Sequence, residues 1–170
     1  GLGNMGDSNI LADFLNWGVG NYPAAHMGLV LWNHGGGSIS GVCFDELNDS
    51  DSLSLRELDA ALLSVYDSMT DNFEFIGFDA CLMGSIECAN VLASYADYMY
   101  GSEELEPGYG WDYQAIGDYL GENPTATGAE LGEKVADSFY DCCDEIGEGD
   151  SATFSIVDLA QIDSLLESFH

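Results

Sequence analysis

The sequence predicts an α/β fold: a mostly parallel sheet flanked by helices on both faces. Three observations carry this. Runs rich in aromatic and β-branched residues, Met27 to Asn33, Phe73 to Phe78 and Ala96 to Tyr100, are too short for stable helices and read as buried strands. Around them lie segments with apolar residues at helical spacing, two of them opened by capping-box sequences. The first two runs end beside His34 and Cys81, and in open α/β sheets chemistry gathers beyond the carboxyl ends of strands.

In chain order, Ser8 is expected to cap a helix reaching about Val19, with Ile10, Leu11, Phe14, Leu15 and Trp17 on its apolar side. Gly18, Gly20 and Pro23 stop it. The strand Met27 to Asn33 follows, then the turn Gly35 to Gly37 and a short extended piece, Gly41 to Phe44. Asp45 to Ser54 is polar and acidic and reads as an exposed loop. Ser54-Leu-Arg-Glu57 is a capping box opening a helix with Leu58, Ala61, Leu62, Val65 and Tyr66 on one side. After the Phe73 strand come a helix from Ile86 to Ser94, the strand Ala96 to Tyr100 and a loop from Gly101 to Gly110. Helices are expected over Tyr113 to Leu120 and from a second capping box, Thr127 to Glu130, through about Ile146. Ala152 to Val157 reads as the last strand, and Asp158 caps a closing helix to Phe169.

A chain of 170 residues fits one domain, residues 1–170, with a sizeable core. Gly1 opens abruptly, so the domain reads as the core of a longer protein, with sheet partners partly absent or on another chain. Thirty-one acidic residues against Arg56 and Lys134 give a formal charge of −29. Nucleic acid and anionic membranes are poor partners for such a surface, whereas basic peptides are steered towards it. No apolar run is long enough to cross a bilayer. Five cysteines, Cys43, Cys81, Cys88, Cys142 and Cys143, form no CxxC pair and leave at least one thiol free, which fits neither a disulfide scaffold nor a zinc site.

Cys81 is read as a nucleophile and His34 as its base, each on a strand end. A thiol attacks well only as thiolate, and an adjacent imidazole takes or shares its proton. The acidic surround disfavours thiolate, so amide dipoles are expected to hold charge on sulfur. Gly35 has no side chain to keep substrate from its amide, and with the Cys81 amide it forms the expected oxyanion hole. Cys88, Cys142 and Cys143 are assigned to packing. His26 precedes its strand and is assigned a structural role, and His170 is terminal. Ser8 in Gly6-Asp7-Ser8 is taken as a cap.

Leu29-Val-Leu-Trp-Asn-His34-Gly-Gly-Gly together with Gly77-Phe-Asp-Ala-Cys81-Leu-Met-Gly resembles the clostripain-like cysteine peptidases, whose pattern is an apolar run, His-Gly, a spacer, then an acidic residue, Ala and Cys. Asn4-Met-Gly-Asp, Leu11-Ala-Asp-Phe, Tyr22-Pro-Ala-Ala and Ser102 to Trp111 extend the resemblance over roughly residues 4 to 115. It implies a caspase-like fold, a secreted or cell-surface bacterial endopeptidase, cleavage after Arg or Lys, and no required cofactor. It also implies that Asp79, two residues before the cysteine, lies in the pocket for the basic side chain. A second carboxylate of some members corresponds to Tyr109 here, and Glu103, Glu104 and Glu106 stand close enough to substitute. Glu104, Glu106, Tyr109 and Trp111 join Asp79 as candidate substrate-binding residues.

Three further expectations follow. Calcium has oxygen ligands available in Asp45 to Ser54, although that stretch lacks an EF-hand's spacing and central glycine. Family zymogens mature by self-cleavage after a basic residue in the loop following the histidine strand, yet Asp45 to Leu55 holds no Lys or Arg. Either no such cut is needed or the preference is not basic. A histidine with three glycines also occurs in lipases and esterases. That chemistry needs Gly-x-Ser-x-Gly on a strand-to-helix turn, and Gly37-Ser-Ile-Ser-Gly41 places its serines wrongly. An inactive or zymogen-like relative that binds basic peptides is the remaining alternative.

Overall fold

The computed structural model describes residues 3–169. Gly1, Leu2 and His170, the ends of the expected domain and the last candidate histidine, lie outside them. The expected α/β architecture is present as a four-stranded sheet in the order β1 (Gly28–Trp32), β4 (Phe73–Asp79), β5 (Ala96–Gly101), β6 (Ser155–Asp158). The first two pairings are parallel, and β6 runs antiparallel to β5.

Alternation along each strand divides the core between the two faces. Leu29 and Leu31, Ile76 and Phe78, and Met99 join one cluster, beneath α1 (Ser8–Asn21), α3 (Leu55–Tyr66), α4 (Ile86–Leu92) and α7 (Ile162–Glu167). Val30, Phe75, Tyr98 and Tyr100 face the other way, against α5 (Tyr113–Glu122) and α6 (Gly128–Glu145). Helix α3 shows how its sequence dictates this. Ser54 and Glu57 exchange capping hydrogen bonds, and Leu58, Ala61, Leu62 and Val65 bury one stripe. Each buried leucine contributes roughly 1.5–3 kcal/mol.

Several local expectations are corrected, and a short helix, α2 (Gly37–Ser40), follows the glycine turn. Asp7, not Ser8, caps α1, its carboxylate accepting from the Asn9 amide. Phe14 and Trp17 of the expected apolar side are exposed, while Leu11 and Leu15 carry the packing. Asp45 to Ser54 is not wholly a loop. Its ends pair antiparallel as β2 (Val42–Asp45) and β3 (Asp51–Leu53), because Leu53 is buried and Asp45 ties the turn by accepting from the Leu47 amide and Asn48. The last strand begins three residues later than expected. Asp158 caps a 3-10 turn, Leu159–Gln161, that leads into α7.

Gly18 lies inside α1, and a methyl group there would meet nothing within 4 Å. Gly18→Ala is therefore expected to stabilise the protein by about 0.5–1 kcal/mol through helix propensity alone. Chemical denaturation of the two proteins, with an unchanged slope, checks this.

Candidate active site

The parallel register between β1 and β4 builds the site. Trp32 pairs with Asp79, and His34 and Cys81 each lie two residues beyond that pair. The ladder's end continues through the Asn33 amide, which donates to the Asp79 carbonyl at 3.4 Å. His34 and Cys81 line one cleft of about 500 Å³ together with Trp32, Asn33, Asp79, Ala80, Leu105, Glu106, Pro107, Gly108 and Gly110.

Both loops at this end of the sheet are pinned by backbone bonds. The His34 carbonyl accepts from the Cys43 amide at 3.1 Å, and the Gly36 amide donates to the Gly41 carbonyl at 2.8 Å. Across the cleft, the Leu82 amide donates to the Glu104 carbonyl at 3.0 Å and the Gly84 amide to the Ser102 carbonyl at 2.8 Å. Between the two loops Gly35 fits directly against Cys81. A Cβ at position 35 would sit 2.1 Å from the Cys81 carbonyl oxygen. Neither the Gly35 nor the Cys81 amide N–H is taken by a backbone acceptor among the described residues. Asn33 and Leu82, neighbours of His34 and Cys81, hold φ values of 151° and 64°. Such backbone costs about 1–3 kcal/mol per residue and persists where surrounding structure imposes it.

The thiol has a donor. The Glu106 amide N–H points at the Cys81 sulfur at 3.2 Å, the kind of amide dipole that an anionic sulfur in an acidic surround needs. Cys43, Cys88 and Cys143 are buried, and burial pushes their thiols up, Cys43 to about 11. Cys81 is part-exposed on the cleft wall.

The far end of the cleft holds two carboxyl groups. Asp79 is 3% exposed, and its Oδ2 accepts from the Tyr113 hydroxyl at 2.7 Å and from the Trp111 amide at 3.2 Å. Gly110 makes this possible. Its φ is +67°, and a Cβ there would lie 2.7 Å from both Asp79 oxygens. Beside Asp79 lies the Glu106 carboxyl, both of whose oxygens are buried without a hydrogen-bonding partner. The Trp111 indole N–H is its other polar neighbour, and it too lacks a partner in hydrogen-bonding geometry. Burial first, and then the Asp79 charge, push the Glu106 carboxyl up to about 9.

That shift has a consequence for stability. Glu106 binds a proton more tightly folded than unfolded, so folding is favoured below its unfolded value of 4.5 and loses that advantage as pH rises towards about 9. Thermal unfolding between pH 7.5 and 9 is expected to show falling stability, and Glu106→Gln should flatten that slope.

Other candidates fall outside the cleft. Tyr109 is 79% exposed and does not line it. Trp111 is 4% exposed, packed behind the site against Tyr100 and Phe154. It reaches the site through its backbone donor to Asp79 and through the indole edge. Glu104 points to a neighbouring groove, and its amide donates to Ser102 and Thr153. Of the five residues expected to bind substrate, Asp79 and Glu106 line the cleft, whereas Glu104, Tyr109 and Trp111 do not. Tyr113 and Gly110 were not singled out in the sequence, because nothing in helical periodicity marks a tyrosine whose hydroxyl reaches a strand end. His26 sits at the opposite end of β1, paired with Glu74. In the stretch with oxygen ligands available for calcium, Asp45 accepts from Met5, Leu47 and Asn48, and Asp51 from Asn4 and Ser52. Among the described residues no three His, Cys, Asp or Glu side chains cluster as metal ligands, and no helix is long and apolar enough to cross a membrane.

Known proteins resemble this chain in sequence and in fold. Clostripain from Hathewaya histolytica is 30% identical over 69% of this chain, which spans 25% of that protein's length. A secreted C11 cysteine protease from Bacteroides thetaiotaomicron, solved with an irreversible peptide inhibitor, superposes with a TM-score of 0.76 at 24% identity, over 94% of this chain and 47% of its own. An inactive zymogen C11 protease from Parabacteroides distasonis gives 0.70 at 26% identity, over 94% and 42%. The C11 clostripain family pattern matches residues 3–170, and this chain therefore belongs to the clostripain family of cysteine peptidases.

Proposed function

We propose that this chain is the catalytic core of an endopeptidase that hydrolyses peptide bonds after Arg or Lys through Cys81 and His34. The observation that carries the reading is one cleft holding a histidine, a thiol with an amide donor, and two buried carboxyl groups. His34 takes the thiol proton, and the Cys81 sulfur attacks the scissile carbonyl carbon. The oxyanion is received by the Gly35 and Cys81 amides, a donor of this kind contributing about 3 kcal/mol. His34 returns the proton to the leaving amine, and water activated by the same imidazole then cleaves the thioester. Asp79 and Glu106 face the basic side chain, a pairing suited to bidentate recognition of a guanidinium.

Thiol, imidazole and amides supply every step, so the proposed reaction calls for no cofactor, and calcium is proposed only as an optional ligand of the β2–β3 hairpin. The enzyme is proposed to be bacterial and secreted or cell-surface, as the Bacteroides relative is described. A further segment or chain completing the sheet would add along β1, whose outer edge has no strand partner among the described residues.

Peptide acyloxymethyl ketones ending in Arg, Leu or Asp, followed by mass mapping, test the reading. Modification of Cys81 alone, strongest for Arg and lost in His34→Ala, is the expected result. Labelling of Cys81 with no Arg preference removes the basic pocket. A folded protein that binds basic peptides yet leaves Cys81 unlabelled would be an inactive relative.

A further inference from the structure

Asp79 and Glu106 do not play equal parts. Both recorded donors to Asp79 meet the same oxygen, Oδ2, so Tyr113 and Trp111 hold negative charge there and leave Oδ1 without a protein donor among the described residues. Glu106 has no such support, for each of its oxygens is buried and unpartnered. Two adjacent carboxylates in a dry pocket with one set of donors cannot both carry charge cheaply, and the proton goes to the group without donors. The groups facing Glu106 reinforce this. Asp79 stands at the end of β4 and Tyr113 at the start of α5, its phenol pushed up by burial and by Asp79. Cys143 looks across from α6, pushed up by burial, with Cys142, Glu106 and Glu148 adding to it. Cys81 and His34 close the cleft on the catalytic side. Neither of the chain's cations, Arg56 on α3 or Lys134 on α6, forms an ion pair with it among the described residues.

Resting on the proposed peptidase reading, we propose that Asp79 and Glu106 share a single proton in the free protein, making the pocket a donor–acceptor pair that takes neutral ureido or carboxamide side chains as well as cations. In that state the Glu106 O–H donates to the oxygen of a citrulline or glutamine side chain, while Asp79 Oδ1 accepts from its N–H. When a guanidinium enters instead, the Glu106 O–H bond breaks, the proton leaves to solvent, and the new carboxylate pairs with the cation. Charge balances, since the pocket keeps one net negative charge before and after. Selection for Arg over citrulline is therefore linked to pH by one proton.

The test uses the native-length protein and two peptides identical except for Arg or citrulline before the scissile bond. Titration of Cys81 and His34 affects both equally and cancels in the ratio of kcat/KM values. The Arg-to-citrulline ratio is expected to rise about tenfold per pH unit from pH 6 towards the pocket's titration. Glu106→Gln should make the ratio independent of pH. A flat ratio in the native protein, or a slope that survives Glu106→Gln, overturns the shared proton while leaving the peptidase reading in place. If the variant does not fold, calorimetry of agmatine binding to the native protein at pH 7.5, in two buffers of different ionisation enthalpy, supplies the same answer. Release of close to one proton supports the proposal, and release of none ends it. Should neither peptide be cleaved and no probe label Cys81, the peptidase reading fails by itself, and the agmatine experiment still decides the proton.

Discussion

Cys81→Ala is expected to lower kcat/KM for an Arg-terminated substrate by on the order of 10⁴-fold or more, with peptide affinity nearly unchanged. The size follows from the geometry. Cys81 is the only thiol on the cleft wall among the described residues, whereas Cys43, Cys88 and Cys143 are buried. Among the described residues no serine or threonine lines the same cleft to take over its attack. The alanine removes the acceptor of the Glu106 amide and nothing that touches the two carboxyl groups, so the pocket should still bind a basic peptide. His34→Ala should cost a similar factor, and the double variant should be little worse than either single one, because the two act as a unit. Burst and steady-state kinetics beside fluorescence titration with a labelled peptide would measure both quantities. Turnover within tenfold of the native rate in Cys81→Ala would remove the thiol from the chemistry altogether.

The meeting of His34 and Cys81 in one cleft was legible in the sequence because its signals are local. An apolar run can bury only as a strand of this length, and the parallel register then carries the residues beyond Trp32 and Asp79 to the same end of the sheet. The helices were legible for a similar reason, since capping boxes at Ser54 and Thr127 name their own first turns. What stayed hidden depends on distant pairing. Asp45 to Ser54 is acidic throughout its middle, and only the burial of Leu53 against the core turns its ends into strands. Likewise, Glu103, Glu104 and Glu106 are chemically alike along the chain. Glu103 bonds Ser155, Glu104 turns to the Thr153 groove, and Glu106 alone turns inward, because its backbone is fastened at Cys81. Tyr113 reaches Asp79 across 34 residues, and no periodicity encodes that.

Gly35→Ala is the second large effect, and it separates two roles that the glycine combines. Its missing side chain lets the histidine loop close on the cysteine loop, and its amide is the proposed oxyanion donor. An added Cβ would lie 2.1 Å from the Cys81 carbonyl oxygen, which is backbone and cannot rotate away. One loop must therefore retreat, and a donor that moves off the developing oxyanion costs about 10²–10³-fold in kcat. Misplacing His34 relative to Cys81 adds to that, because the same displacement carries the imbalance to the base. KM should change far less, since Asp79, Glu106 and Tyr113 lie on β4, the β5–α5 loop and α5, all outside the histidine loop. Gly36→Ala provides the internal comparison. Its Cβ would meet the Ser40 side chain at 2.5 Å within the same short turn, and its three nearest atoms belong to Ser40 and Phe44 and not to Cys81. Kinetics of the two variants, with circular dichroism to establish folding, should show a loss in kcat at position 35 well beyond that at position 36. Equal losses would mean that the turn matters as a whole and that the Gly35 amide has no separate part in holding the oxyanion.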